Sequence, residues 1–535
     1  MKKFSILRQP DYICGATEAT PFRFEEGWQK QCPVEYSFAL KGKSAEIKVF
    51  PSGSPVKHLK LRWNGDFRGI EKVLGDEWER AQLGSYIEWR SMMPSRVLPW
   101  FCYVKTGDLY SCYGVKTGAD CFAFFAVDTH GVTLYLNLCN GNRGTDLKKP
   151  IVACVLTELF EETDKPFLTA KRFASMLCEN GRIPKEPIFG FNNWYYAYGD
   201  ISYESVIKDT DYLMELTSGV KNRPYMFIDD GWQKNREVKQ GAYIGGEWLP
   251  NEKFNDMAAL ASDIHAKGAK AGLWMRPLLT RGDVPKDAVL GEGAGGIILD
   301  PTHPYTFEQV RADALRIKSW GFDCLKHDFT TIDITGYPQI TSNQHSHELC
   351  APERTFYDNT LTTATLIKNL YKAVQDAFGG DVIGCNTVGH LVAGIHSAQR
   401  VGGDTSGRSF EWTLRDGVNS FMRLPLNDIF YNADPDCAAF TPMTEADVNL
   451  DFLEACAITG MTTLASVTPG ILTEAEKKRI NSIFKIADEN KSRLMIDGFE
   501  NTANPDRFVS EDGKTVKEFD WTRGRGARFA LRWLE

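Results

Sequence analysis

Polar side chains capable of chemistry stand at the ends of short apolar runs through the middle of this chain. Asp229 and Asp230 close one run, Asp328 another, Asp404 a third and Asp434 a fourth; Trp194, Arg276, Asn386 and Ser466 close four more. Histidines are missing from these positions, so the set is suited to carboxylate chemistry rather than to holding a metal ion. Two carboxyl groups on opposite sides of a glycosidic bond suffice to break it: one attacks or activates water, and the other protonates the leaving oxygen. Spacing alone does not choose the two.

Something must bring these run ends to one place. The runs 188–194, 224–229, 271–276, 324–328, 382–386, 399–404, 429–433 and 462–466 read as eight strands, the last two short in periodicity. Amphipathic segments lie between most of them, with Val206, Thr210, Leu213 and Thr217 on one stripe and Val310, Ala314 and Ile317 on another. Thr306 with Gln309 and Thr473 with Glu476 have capping-box spacing. Eight such units over residues 181–490 predict a (β/α)8 TIM barrel, whose functional groups gather where strands end and loops begin.

The flanks read differently. In Gly131-Val-Thr-Leu-Tyr-Leu-Asn-Leu-Cys-Asn-Gly141, Val132, Leu134, Leu136 and Leu138 alternate onto one face. A Val-Lys-Thr-Gly turn recurs at 104–107 and 115–118, which predicts successive hairpins, and residues 1–180 are expected to form an N-terminal antiparallel β-sandwich. Residues 491–535, with the runs 493–497 and 528–533, suggest a small C-terminal β-sheet domain. The glycines at 291–296 lack the lysine of a phosphate loop and read as a flexible linker.

A chain of 535 residues with a net charge of −8 can bury a full core, and it lacks the bulk positive charge of a nucleic-acid binder. No stretch approaches eighteen uninterrupted apolar residues and no signal-peptide core opens the chain, so no membrane partner and a cytoplasmic location are expected. Thirteen cysteines without a CxxC pair point to reduced, mostly buried thiols. Thirteen tryptophans are explained by large cores or by sugar stacking, and composition does not separate the two. His345, His347 and Cys350 have the residue types of a metal cluster but fall in a loop, where a solvated role is the simpler reading.

Four motifs narrow the chemistry. Phe189-Gly-Phe-Asn-Asn-Trp-Tyr-Tyr-Ala-Tyr-Gly199, Phe227-Ile-Asp-Asp-Gly-Trp-Gln233, Gly272-Leu-Trp274 and Trp320-Gly-Phe-Asp-Cys-Leu-Lys-His-Asp-Phe329 resemble, in order and spacing, the retaining α-galactosidases of glycoside hydrolase families 27 and 36. The domain plan is closer to family 36. The resemblance implies Asp328 as nucleophile and Asp404, in Arg400-Val-Gly-Gly-Asp404, as general acid/base. It implies Asp229 and Asp230 as holders of the galactose O4 and O6 hydroxyls, Trp194 and Trp274 as walls of the sugar pocket, and Lys326 as a hydroxyl donor. It also implies that Cys385 and Asn386 line the site and that Arg400 contacts the sugar or orients Asp404. Lys326 also stands two residues before Asp328 on a strand, so both side chains share a face, and a cation there favours an ionised carboxylate.

Two segments depart from the pattern. Met275-Arg276-Pro277 replaces the Glu-Pro usual after Gly-Leu-Trp, and Cys385-Asn-Thr-Val-Gly-His-Leu is closer to family 27 than to family 36. The implied activity is exo-hydrolysis of terminal α-galactosyl linkages through a covalent glycosyl-aspartate, on an oligosaccharide or α-galactoside substrate, with no metal or cofactor. Transfer to a sugar acceptor, as in raffinose synthase, is an alternative of the same class. A non-catalytic carbohydrate-binding protein on a decayed barrel is another, opposed by intact aspartates at both positions. A metal-dependent barrel hydrolase would want histidines where Asn192-Asn193-Trp194 stands. Oligomeric state is not legible.

Overall fold

A computed structural model describes residues 3–21, 32–81, 85–234, 247–293, 295–490 and 493–524. The N-terminal part is two antiparallel sheets. One runs in the order Tyr12–Thr17, Val56–Asn64, Gly131–Asn137, Phe122–Asp128, Leu98–Pro99; the other Tyr36–Lys41, Ser44–Val49, Ile151–Glu162, Leu109–Val115, Phe101–Thr106, Lys72–Gly75. Val132, Leu134 and Leu136 are buried as their alternation requires, and each such side chain contributes roughly 1.5–3 kcal/mol. The 104–107 turn does join a hairpin. The 115–118 turn does not: the free edge of Leu109–Val115 is taken by Ile151–Glu162, so the chain crosses to the other sheet.

The middle of the chain is a parallel sheet of nine strands, in which the eight expected positions occur in the expected order. Its strands are Phe189–Asn192, Tyr225–Ile228, Lys270–Met275, Cys324–His327, Asp381–Gly384, Ala398–Arg400, Asn432–Asp434, Cys437–Phe440 and Thr463–Val467. The seventh position is split. Asn432–Asp434 pairs with the sixth strand, Cys437–Phe440 pairs with the last, and Pro435-Asp436 bends the chain between them, with Asp436 at φ 76°. Proline gives no ladder hydrogen bond, so one strand cannot serve both neighbours without this break. Thr463–Val467 also pairs with Phe189–Asn192, and Thr462 N donates to Ala433 O at 2.9 Å, which curls the sheet round on itself as a TIM-like barrel.

Helices cover the outside with the faces the sequence predicts. Val206, Thr210, Leu213 and Thr217 are buried along and just after Tyr203–Leu216, and Val310, Ala314 and Ile317 along Pro304–Ser319. The capping box at Thr473 and Glu476 is formed, which is typically worth about 1 kcal/mol. The one at Thr306 is not. His303 caps that helix, because Pro304 is set for the first turn, and Thr306 lies buried inside it.

The glycines at 291–296 are not a linker. Val289–Gly293 and Gly296–Leu299 form an antiparallel pair, joined on its other side by Leu279–Thr280. A Cβ on Gly296 would collide with Thr280 O, so the glycine allows the strands to approach. The C-terminal sheet is Met495–Ile496, Arg507–Val509 and Val516–Glu518; the run at 528–533 lies outside the described residues. The cysteines are buried apart from half-buried Cys32, and no disulfide links described residues. No described helix is long and apolar enough to cross a membrane.

One segment ties the sandwich to the barrel. Asp76-Glu77-Trp78-Glu79-Arg80 is buried throughout although four of its five residues are charged. Arg423 holds it, giving Nε to Asp76 Oδ1 at 2.7 Å and Nη2 to Glu79 O at 2.5 Å, and Ala81 N reaches Val401 O at 3.3 Å beside the sixth barrel strand.

Candidate active site

The C-terminal strand ends converge on a pocket of about 150 Å³, lined in part by Trp194, Asp229, Asp230, Trp274, Lys326, Asp328, Cys385, Asn386, Arg400 and Asp404. All ten side chains singled out from the sequence therefore meet. Arg276, Asp434 and Ser466 do not line it. Arg276 turns behind the wall, pairs with Asp333 at 2.5 Å and lies 4.4 Å over the Phe329 ring, so the Met275-Arg276 substitution supports a wall of the pocket from outside.

Asp328 leaves the fourth strand with its carboxylate fully engaged on one side. Oδ2 accepts Trp274 Nε1 at 3.0 Å; Oδ1 accepts Phe329 N at 2.7 Å and Asn386 N at 3.2 Å. Phe329 sits at φ 65°, a costly conformation for an aromatic residue, and this sharp turn accompanies the bond from its N–H to the carboxylate one residue back. Burial pushes the Asp328 carboxyl up, but Lys326, Arg80 and the Trp274 hydrogen bond outweigh it and hold the group below the usual carboxylate range. It is ionised and fixed in orientation.

Lys326 shares that face, as the spacing predicts, yet its direct partner is Asp229 at the end of the second strand, one strand removed in the sheet, with Nζ to Oδ2 at 2.7 Å. Asn192 Nδ2 donates to the same oxygen at 2.7 Å, and Asp230 N to Oδ1 at 2.9 Å. Asp230 Oδ1 accepts Gln233 Nε2 at 2.5 Å. Gly231 makes the turn possible at φ 133°, where a Cβ would stand 2.6 Å from Gly199 O. Trp232 then donates its indole N–H to Trp274 O at 2.9 Å, locking the second strand end to the third.

Asp404 is the most open of the carboxylates, with 46% of its side chain exposed to the mouth. Oδ1 accepts Arg80 Nη1 at 2.8 Å and Arg400 Nη2 at 3.2 Å. Burial works upward on its pKa, but Arg80, then Arg400 and Lys326, hold it well below the usual range. Two nearby buried carboxylates are committed elsewhere: Asp436 to Arg400 at 2.8 Å and to Thr405 N at 2.9 Å, and Asp416 to Arg415. Asp434 is buried off the pocket, and burial raises its pKa to about 6. His327, between Lys326 and Asp328, faces away to His396 and Thr330, and burial drops its pKa to about 3.

Sequence reading missed Arg80, Glu79 and Tyr195. Arg80 and Tyr195 line the pocket, and Glu79 accepts Asn386 Nδ2 at 2.7 Å just behind it. The available signal was the charge run around Trp78, which reads as a solvated surface unless a second domain covers it.

Comparison with known proteins follows the same lines. No family model matches the chain. A stretch of 151 residues, 28% of this chain and 31% of the relative, is 30% identical to α-galactosidase A of Cellvibrio japonicus, so the match spans about a third of that protein's length. Among solved structures, the α-galactosidase TtGalA of Thermus thermophilus, in complex with p-nitrophenyl α-D-galactopyranoside, superposes with a TM-score of 0.59 at 17% identity, covering 90% of this chain and 99% of that one. The family 36 α-galactosidase AgaA of Geobacillus stearothermophilus, as a point variant in complex with 1-deoxygalactonojirimycin, gives 0.60 at 15% identity over 90% and 71%. The α-galactosidase of Lactobacillus brevis gives 0.62 at 13% over 90% and 70%. The chain shares its overall fold with these structures, and its sequence with an α-galactosidase over the 151 matched residues.

Proposed function

We propose that this protein is a retaining exo-α-galactosidase that works by double displacement. Asp328 attacks the anomeric carbon and the C–O bond to the aglycone breaks, giving a glycosyl-aspartate and an alcohol that takes its proton from Asp404. Asp404 then removes a proton from water, which attacks the anomeric carbon and frees Asp328. The observation that carries this reading is the unequal treatment of the two carboxylates that face the pocket. Asp328 is buried, ionised and held by three hydrogen bonds, as a nucleophile must be; Asp404 stands at the open mouth where a leaving group and water pass. Asp230 and Asp229 would take the O4 and O6 hydroxyls, with Trp194 and Trp274 against the sugar, and Lys326 and Arg400 would set the charge around them. Stachyose and raffinose, which are bound in structures of similar fold, indicate the class of oligosaccharide to try.

A panel of aryl α-glycosides tests activity, anomer and sugar together. Release of phenol from the α-galactoside in preference to the α-glucoside, with the sugar first appearing as the α-anomer by NMR, is the expected result. First appearance of the β-anomer would replace double displacement with direct attack by water, and no turnover of any α-glycoside would remove the reading.

A further inference from the structure

Asp404 poses a difficulty within this reading. A general acid must carry a proton at the moment of bond cleavage, and two arginines hold this carboxyl ionised. Its proton has to be kept nearby without discharging those arginines, and the strap from the sandwich contains a second carboxyl group placed to do so.

Glu79 and Arg80 are consecutive, and each reaches one of the two pocket carboxylates. Glu79 Oε1 accepts Asn386 Nδ2 at 2.7 Å, and Asn386 N donates to Asp328; Arg80 Nη1 donates to Asp404 at 2.8 Å. Between the two strap residues a bond is almost made. Arg80 Nε lies 3.6 Å from Glu79 Oε1, and both Arg80 Nε and Glu79 Oε2 are buried with no hydrogen-bond partner among the described residues. The Glu79 side chain is wholly buried. An unused donor on Arg80 and an unused acceptor oxygen on the neighbouring Glu79 carboxyl, both in a dry site, are costly unless a second state of the site uses them.

We propose that Glu79, Arg80 and Asp404 act as one unit, in which the two carboxyl groups hold a single proton between them and Arg80 pairs with whichever is ionised. In the resting form the proton is on Glu79 and Arg80 is paired with Asp404. When the proton passes to Asp404, one O–H bond breaks at Glu79 and one forms at Asp404, the charge of the trio is unchanged, and the guanidinium fork closes its Nε onto Glu79. Glu79 is thus a positioning residue for the proton, and it touches no substrate. Burial pushes its carboxyl up to about 7 against the pull of Arg80 and Asn386, in accord with a protonated resting form. The charged groups facing Glu79 are Arg80, Asp328 and Arg423, with the Tyr371 hydroxyl. Those facing Asp404 are Arg80, Arg400, Lys326, Asp328, Tyr195, Tyr198 and Asp416.

The inference rests on Asp404 as acid/base, and the test separates the two. The full chain and its E79Q, R80Q and D404N variants are assayed for kcat/KM against pH on phenyl and 2,4-dinitrophenyl α-galactosides, which need and do not need an acid. E79Q leaves Asp404 alone with its arginines, so its basic limb on the phenyl substrate should move down by about one pH unit or more. At neutral pH its rate on that substrate should drop about 10-fold, with the dinitrophenyl substrate nearly spared. R80Q releases Asp404 and should move the limb up. An E79Q limb that matches the parent, while D404N still spares only the dinitrophenyl substrate, overturns the proposal and leaves the acid/base assignment standing. Equal damage by D404N to both substrates overturns that assignment itself. Should E79Q not fold, R80Q decides: a limb that stays or falls rejects the shared proton.

Discussion

Lys326 Nζ is bonded to Asp229 Oδ2 at 2.7 Å, at the end of the second barrel strand, rather than to its own near neighbour Asp328. The lysine therefore serves two carboxylates by different means. It satisfies Asp229 by contact and lowers Asp328 by charge alone, since the Asp328 oxygens are taken by Trp274, Phe329 and Asn386. A nucleophile bonded directly to a lysine would have to break that bond to attack. Here the cation favours the ionised form from a distance, as the proposed role of Asp328 requires.

That arrangement makes Asp328 the group whose removal should be most damaging. Asp328→Ala is expected to lose turnover on the order of 10³-fold or more, about 4 kcal/mol of transition-state stabilisation. Azide fits the space vacated by the carboxylate and should restore product as the inverted β-glycosyl azide. Initial rates with and without azide, and NMR of the product, check this; turnover near the parent's without azide would eliminate the assignment.

The strap should matter to folding as well as to activity. Arg423 joins Asp76, Glu79 O and Val401 O in a site with almost no solvent. Burial already pushes the Asp76 carboxyl up against the pull of Arg423. Arg423→Ala strands that carboxylate and several carbonyls, a loss of about 3–5 kcal/mol. Thermal unfolding should show a clearly lower midpoint, with activity reduced because Arg80 is no longer held. An unchanged midpoint would mean that the strap is anchored by its other contacts.

Sequence reading reached the barrel and the ten pocket residues because both are written locally. Strand ends in a (β/α)8 barrel fall at the end of an apolar run, and Asp229, Asp328 and Asp404 each follow such a run. What it missed depends on distant pairing. The split seventh strand is decided by which neighbours Asn432–Asp434 and Cys437–Phe440 must reach, and the 115–118 crossover by an edge already filled by Ile151–Glu162. Arg80 lies 324 residues from Asp404 along the chain, and periodicity carries no information about such a contact. The direct partner of Lys326 was legible as a face but not as a bond.

Buried neutral histidines should give the fold an acid limit. His327 Nδ1 and His396 Nε2 are 3.2 Å apart. Burial drops His327 to about 3, and burial together with the neighbouring His327 ring holds His396 well below its ordinary value. Both are neutral when folded and take protons near pH 6.5 when unfolded. Their contribution is fully present above about pH 6.5 and is lost as pH falls toward the folded values, because the unfolded state then binds more protons. With His396→Gln the slope of stability between about pH 4 and 6 should be shallower than the parent's by about 1.4 kcal/mol per pH unit. Urea unfolding across that range measures it, and parallel slopes would show that His396 is charged in the folded protein.

Sugar choice should lie with Asp230 more than with Asp229. Asp229 already accepts Lys326 Nζ, Asn192 Nδ2 and Asp230 N, which leaves about one of its four acceptor sites, enough for O6 but not for O4 as well. Asp230 lines the same pocket at the end of the same strand, so under the proposed function the reading of an axial O4 would fall to its carboxylate. An equatorial O4, as in glucose, would point away from that carboxylate and forgo the hydrogen bond, a loss of roughly 1–3 kcal/mol, or about 5- to 150-fold in rate. Asp230→Asn should therefore narrow the preference for α-galactosides over α-glucosides while keeping some activity. Asp229→Asn, which also strands Lys326, should depress both substrates together. The ratio of kcat/KM values for the two aryl glycosides in each variant is the measurement. A ratio unchanged by Asp230→Asn would place the reading of O4 elsewhere, and a parent that prefers α-glucosides would overturn the specificity without touching the roles of Asp328 and Asp404.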